Sequence, residues 1–308
     1  GDKDLVEAPI REWLGEHQCD ADASHVYKAW LDAAGEKDLV EAPIREWLGE
    51  HGDRMDASHV LEAWLVSNGD PIGIEGFVRK WLSIHARTFA DGSYVLRTWL
   101  RAGGEAEFGL SYVLDWLSLH GKKEDAQFVI SAWLKAGNEP LPLEEATRLW
   151  LRHHGTISNA SHVIGPWLDS DGEYSVVSES LVAWLEEYGT TFNAWYVLAA
   201  CLRVRDARGA VEPVATKWLI RHGTAFRASN FICAWIKIDG PSKVVRDGTL
   251  RWLGARRPGD NISWVLVTWL QSGGAREDVA EYVEDDLINC ANSKALSALR
   301  SAWEGSAK

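Results

Sequence analysis

The sequence predicts an all-α fold: a right-handed superhelical solenoid of about nine helix–turn–helix repeats, each of 34 residues. Three observations predict it. Tryptophan recurs on a 17-residue register. Two phrases alternate on that register, each with apolar residues at helical spacing. One stretch of 15 residues, Lys3 to His17, returns unchanged as Lys37 to His51.

The register comes first. Of 18 tryptophans, all but two keep time: Trp13, Trp30, Trp47, Trp64 and Trp81, then after one inserted residue Trp99, Trp116, Trp133, Trp150, Trp167 and Trp184, then Trp218, Trp235, Trp252, Trp269 and Trp303. Cys201 and Asp286 fill the two remaining slots, and only Trp195 and Trp264 lie off the register. We read these tryptophans as the structural signature of the repeat. Two slots make one repeat, and 308/34 gives nine of them in one domain, 1–308. The repeats run approximately 3–36, 37–70, 71–105, 106–139, 140–173, 174–207, 208–241, 242–275 and 276–308. The last has Asp286 for tryptophan among Glu281, Glu284 and Asp285, and reads as a polar cap.

Each repeat opens with the phrase seen at Asp4–His17, helix A, and continues with that seen at Asp22–Leu31, helix B. In helix B the apolar residues, as at Val60, Leu61, Ala63, Trp64 and Leu65, cover most of the circumference, which predicts burial between neighbours. Eight residues before the B tryptophan stand Asp22, Asp56, Asp91, Asp125, Asn159, Asn193, Arg227, Asn261 and Ala295. The Asp and Asn among them are expected to cap the first turn. Gly35, Gly69, Gly137, Gly240 and Gly274 are expected to stop the B helices in the left-handed conformation. Helix A has a wet side with Glu7–Arg11, Glu41–Arg45, Glu75–Arg79 and Glu144–Arg148, each spaced i, i+4. It ends on a histidine (His17, His51, His85, His120, His154, His222) that meets the negative end of the helix dipole. Pro9, Pro43 and Pro213 imply that their A helices start late or bend there, and Gly165-Pro166 should bend the fifth B helix.

A 34-residue helical hairpin repeated through the whole chain resembles the tetratricopeptide class of α-solenoids. The motif is divergent, because here tryptophan ends both helices and the closing proline is missing. The resemblance implies a binding scaffold, and no binding residue is carried over from that class. Near-identical, tryptophan-rich repeats also resemble the sensor arrays of bacterial defence proteins related to nucleotide-binding receptors. That likeness implies a ligand-sensing or regulatory array cut from a larger, NTPase-linked protein. A third alternative is an engineered or consensus-like repeat protein without a natural partner.

Composition sets the outer limits. Hydrophobic residues at 46% exclude a disordered chain, and no apolar run is long enough to span a membrane. Cys19, Cys201, Cys233 and Cys290 have no paired spacing, so we expect free thiols in a reducing, cytoplasmic compartment. The chain begins Gly-Asp-Lys inside a repeat phrase and its one methionine is Met55, so we expect a segment of a longer protein with a scar glycine.

No catalytic motif appears: no phosphate loop, no His-Glu-x-x-His, no Gly-x-Ser-x-Gly and no Cys-x-x-Cys. We therefore expect a protein that is not an enzyme and uses no cofactor or metal. His17 with His25, or His51 with His59, could form a metal clip; capping and packing is the simpler role. Five residues before the B tryptophan stand His25, His59, Tyr94, Phe128, His162, Tyr196, Asn230, Trp264 and Ala298, either a ligand-binding ladder or packing between repeats. Trp195 stands where other repeats have Ser24, Ser58, Ser161, Ser229, Ser263 and Ser297, a position read as near solvent. It is either a binding hot spot or a ring that fills the gap left by Cys201.

Charge is segregated. Residues 1–70 carry 6 basic and 17 acidic groups (−11), and 71–200 carry 10 and 16 (−6). Residues 201–260 carry 12 and 5 (+7), and 261–308 carry 4 and 7 (−3), which sums to −13. The basic stretch suggests a patch for an acidic peptide, with Arg203, Arg246, Arg251, Arg257 and Trp195 as the candidate partner-binding residues. The alternative is a solvated face balancing the acidic arm. The expected partner is a protein or peptide rather than nucleic acid or membrane, bound by a monomer.

Overall fold

The computed structural model describes residues 3–67, 69–255, 262–289 and 293–306. The chain is all-α: eighteen α-helices pack in sequence order, with no strand among the described residues. It divides into two units, Gly1–His154 and Gly155–Lys308. The first holds α1 (Lys3–His17), α2 (Ala23–Asp32), α3 (Lys37–His51), α4 (Ala57–Val66), α5 (Pro71–His85), α6 (Ala90–Arg101), α7 (Ala106–His120), α8 (Ala126–Lys135) and α9 (Glu144–His154). The second holds α10 (Ser161–Asp169), α11 (Tyr174–Tyr188), α12 (Trp195–Arg203), α13 (Arg208–His222), α14 (Ala228–Asp239), α15 (Lys243–Gly254), α16 (Ile262–Gln271), α17 (Ala280–Asn289) and α18 (Ser293–Gly305). Odd numbers are A helices and even numbers B helices.

The apolar circumference of helix B has the predicted consequence. In the first unit α2, α4, α6 and α8 pack each on the next, and in the second α10, α12, α14, α16 and α18 do the same. In α4, Val60, Leu61, Ala63, Trp64 and Leu65 are all buried. On-register tryptophans are buried throughout, except Trp13 and Trp303, which are half-buried on the first and last helices. The expected Glu–Arg pairs form along the wet side of helix A, at 2.8 Å for Glu7–Arg11 and Glu41–Arg45, 2.5 Å for Glu75–Arg79 and 3.0 Å for Glu144–Arg148.

The two tryptophan series do different work, which the register alone did not reveal. Most B-helix indoles close their own helix; Trp235 instead donates to the Asp239 carboxylate at 3.0 Å, and the Trp99 N–H has no partner among the described residues. Trp30, Trp64, Trp133, Trp167 and Trp269 each donate Nε1–H to the carbonyl six residues on, at 2.7–3.1 Å. The backbone between is a Schellman turn. In α2, Gly35 N–H bonds the Trp30 carbonyl at 2.9 Å and Ala34 N–H bonds that of Leu31 at 2.9 Å. This corrects one expectation about glycine. Gly137 and Gly240 do take positive φ, but in the turns after α2 and α16 the left-handed residue is the one before, Ala34 (φ 54°) or Gly273 (φ 79°). Gly35, Gly69 and Gly274 are glycine because the indole lies against them, where a Cβ would collide with the ring.

The A-helix indoles instead bridge to the preceding repeat. Trp47 donates to the Asp20 carbonyl at 2.9 Å, Trp81 to Arg54 at 2.9 Å, Trp116 to Thr88 at 2.9 Å and Trp218 to Thr191 at 2.8 Å. The histidine four residues on takes the adjacent carbonyl. His51 Nε2 donates to Cys19 at 2.8 Å, His85 to Asp53 at 2.7 Å, His120 to Arg87 at 2.9 Å and His222 to Thr190 at 2.9 Å. A carbonyl only accepts, so Nε2 carries a proton in each. Indole and imidazole lie one turn apart, as in Trp47–His51 with centroids at 5.2 Å. Together they clamp two consecutive carbonyls of the previous A–B turn. The histidines do sit in the last turn of helix A, and this bond adds a role beyond the dipole. It also occupies the Nε2 of His51, one of the two ring nitrogens open to a metal clip.

A further expectation needs correction. The acids before helix B do not cap it. Asp22, Asp56 and Asp125 have helical backbone angles, which turn the side chain away from the free amides, and none makes a cap bond. Asp91 lies inside α6, Asn159 and Asn193 lie in 3-10 turns, and Asn261 lies outside the described residues. Backbone bonds of the tight A–B turn tie down those amides instead, as in Ala23 N–H to Asp20 at 3.0 Å. A side-chain cap does form at Asp70, which accepts from Ile72 N–H at 3.0 Å beside Pro71. Of the two outcomes allowed at the prolines, a late start is not the one taken: α1, α3 and α13 run through Pro9, Pro43 and Pro213. In α3 the fully buried Val40 and Ile44 flank Pro43, and their packing outweighs one missing amide bond.

Candidate functional site

The site lies in the second unit, where two consecutive repeats, 174–207 and 208–241, depart at three positions from the pattern of the others. The first departure is Trp195. Six residues before the B tryptophan the usual side chain is serine, and Ser24, Ser58, Ser161, Ser229 and Ser263 are all buried there. The position is therefore not near solvent, as the sequence suggested, but shut inside the B layer. Trp195 begins α12, directly after the 3-10 turn Phe192–Ala194, and its ring stands half-buried against Tyr196 with centroids at 5.9 Å. Its Nε1–H is buried and has no hydrogen-bond partner among the described residues.

Tyr188 is the second departure. It ends α11 where the clamps of Trp47, Trp81, Trp116, Trp150 and Trp218 carry histidine. Its ring lies 5.9 Å from Trp184, whose own N–H bonds the Ser158 carbonyl at 3.1 Å. The third is Arg227, which takes the Asp or Asn position before α14. Arg227 is exposed and has no ion pair among the described residues. All three line one cavity of about 450 Å³, together with His162, Asn193 and Tyr196. Burial pushes the Tyr196 phenol above its ordinary range, opposed in part by a hydrogen bond with Ser161, so the group stays neutral. The cavity therefore offers aromatic walls, a neutral hydroxyl, a buried N–H without an acceptor and one guanidinium.

The other candidates lie elsewhere. Arg203 closes α12 while Trp195 opens it, eight residues or about 12 Å along the axis. Its guanidinium is paired with Asp169, one repeat back. Arg246 on α15 grips Asp278 through two bonds, one from Nε at 2.6 Å. Arg251 donates to the Ile220 carbonyl at 3.3 Å. Neither lines the cavity, and Arg257 lies outside the described residues. Arg208 likewise pairs with Asp239 at 3.1 Å. At Arg203, Arg208 and Arg246 a ligand carboxylate would have to displace one the chain already supplies. The residue placed beside Trp195 is Arg227.

Of the aromatic ladder, Tyr94 and Phe128 hold the Arg97 guanidinium between them, at 4.4 and 5.2 Å from the ring centroids. Burial, with Arg101 nearby, pushes that guanidinium below its ordinary range. Burial likewise raises the Cys201 thiol, and raises that of Cys233 to about 11. Among the described residues no group of three or more His, Cys, Asp or Glu is placed to hold a metal ion. No family model matches the chain, and no curated protein and no solved structure matches it.

Proposed function

We propose that the chain is a non-catalytic protein- or peptide-binding repeat scaffold, and that an acidic peptide enters the cavity around Trp195. One observation carries the reading: Tyr188, Trp195 and Arg227 each break the repeat pattern, and all three meet at one cavity. A repeat needs none of these substitutions to pack, since its other copies pack without them. Leaving the Trp195 N–H unpaired costs about 1–3 kcal/mol, which a ligand carbonyl or carboxylate would relieve. Arg227 supplies a fork for a carboxylate, and tryptophan and arginine are the side chains that dominate binding hot spots. A net charge of −13 disfavours nucleic acid. No described helix is long and apolar enough to cross a membrane.

The test is a calorimetric titration with a hexaglutamate peptide against a hexalysine control. Binding should be confined to hexaglutamate and weaken with added salt. It should fall at least tenfold in Trp195→Ala and in Arg227→Glu, while charge reversal at Arg11 and Arg45 leaves it unchanged. Equal binding by all variants would overturn the assignment. Charge reversal at Arg246 and Arg251 separates this site from the wider basic stretch: a loss there alone would move the site to α15.

For the fold, the proposal is nine 34-residue hairpins of the tetratricopeptide-like class in a right-handed superhelix. Support comes from the B-on-B packing and the repeated clamp within each unit. Small-angle scattering of an elongated particle would agree, and a compact sphere would not. A second reading, a ligand-sensing array from a larger multidomain protein, is favoured by the identity of Lys3–His17 with Lys37–His51.

A further inference from the structure

That identity places one sequence in two environments. In α3, Val40, Ile44 and Trp47 are completely buried, and Trp47 and His51 hold the Asp20 and Cys19 carbonyls of the repeat before. In α1 the same face is open. Val6 is 50% exposed where Val40 is 0%, and Ile10 and Trp13 are half-buried. The Trp13 indole N–H makes no hydrogen bond among the described residues, although its ring keeps the clamp spacing to His17, with centroids at 5.1 Å. His17 is 42% exposed against 21% for His51, and it has turned to Asp20 of its own turn, at 2.8 Å. Leu14, which faces the described chain, is as buried as its counterpart Leu48. Among the residues whose burial is described, the difference runs along the Val6, Ile10, Trp13 and His17 face.

We propose that the Val6, Ile10, Trp13 and His17 face of α1 is a docking surface for one more helical hairpin of this same repeat type. The incoming hairpin presents two consecutive carbonyls of its A–B turn to Trp13 and His17 and covers Val6 and Ile10. What selects this occupant is the α3 copy, in which an identical 15-residue face is filled by a hairpin of this kind. His17 must release Asp20 to take the carbonyl, a change that costs little at an exposed pair.

The experiment fuses a second copy of residues 3–36 directly before Lys3, which recreates the Glu36–Lys37 junction. A Val6→Cys thiol in the original α1 reports on the surface. Its alkylation rate is read by mass on the peptide carrying the substitution, which its mass distinguishes from the identical stretch at 37–51. The added repeat should slow alkylation at least tenfold, whereas a Gly/Ser extension of equal length should not. Trp13→Ala with His17→Ala in the original α1 should restore the rate. No slowing by the added repeat overturns the proposal, and so does slowing that survives the double substitution. In the unextended chain, a rate that falls with protein concentration would show that a second copy of the chain is the occupant, and would also overturn it. Circular dichroism of each variant confirms that α1 remains folded, and a hexaglutamate titration unchanged by the extension keeps this result separate from the Trp195 site.

Discussion

Trp47→Ala removes a ring that joins two repeats. The side chain is completely buried, donates to the Asp20 carbonyl at 2.9 Å and meets Tyr27 edge-on with centroids at 6.4 Å. A buried tryptophan withdraws about 150–250 Å² from water. At about 25 cal/mol/Å² that is about 4–6 kcal/mol of gross burial. Alanine keeps a small part of it, so the loss should be about 3–5 kcal/mol, the usual range for emptying a buried aromatic site. Asp20 lies on an exposed turn, so water can replace the indole there and the lost hydrogen bond adds little. Trp13→Ala is the internal control, made in the same 15-residue sequence. That ring is half-buried and makes no hydrogen bond among the described residues, so the cost should be about half, ~2 kcal/mol. Urea denaturation followed by circular dichroism compares the two variants with the parent, read at the first transition because repeat arrays need not unfold in one step. Equal losses at Trp13 and Trp47 would refute the reasoning, since sequence and not the neighbouring repeat would then set the cost.

Other predictions follow the same logic. Trp133→Ala should also cost about 3–5 kcal/mol, and half-buried Trp195→Ala clearly less; equal costs would make Trp195 structural and remove it from the site. Arg87 and Arg246 hold Asp115 and Asp278 below the ordinary carboxylate range through their hydrogen bonds. The stability from these pairs should therefore be complete above the unfolded value of about 3.9 and disappear as pH falls through the lower folded value. Urea midpoints measured from pH 7 to 2 should show a shallower acid decline in Asp115→Asn. Burial raises the Cys201 and Cys233 thiols, so neither should be alkylated by iodoacetamide at pH 8 until the chain unfolds. Cys19, raised first by burial and then by Glu46 and Glu50, should react more slowly than free cysteine.

Helix number, helix type and the buried B layer were legible because they depend on spacing, and tryptophan marks the spacing at every turn. What the tryptophans bond to was not legible. For most of them the acceptors are backbone carbonyls, 26–28 residues back for helix A and six residues on for helix B, and a carbonyl has no letter in the sequence. The same limit explains the capping error at Asp22 and Asp56. Residue type suggested a cap, but the turn's backbone angles decided against it. At the candidate site Trp195 was found because it breaks a pattern. Arg227 carried the same kind of signal at the cap position, and Tyr188 at the clamp histidine. That the three share a cavity depends on the stacking of α10, α12 and α14, which sequence position does not display. Arg203 and Arg246 were chosen on charge, and charge does not show that Asp169 and Asp278 already face them.

The most direct measurement restores the repeat pattern at the site. The triple variant Tyr188→His, Trp195→Ser, Arg227→Asp gives each position the residue that other repeats carry. If the cavity is a binding site built by departing from the repeat, the variant should fold with an equal or higher melting temperature and lose hexaglutamate binding at least tenfold in the same titration. A variant that binds as the parent does, or that melts several degrees lower because these three residues hold the fold together, would contradict the account.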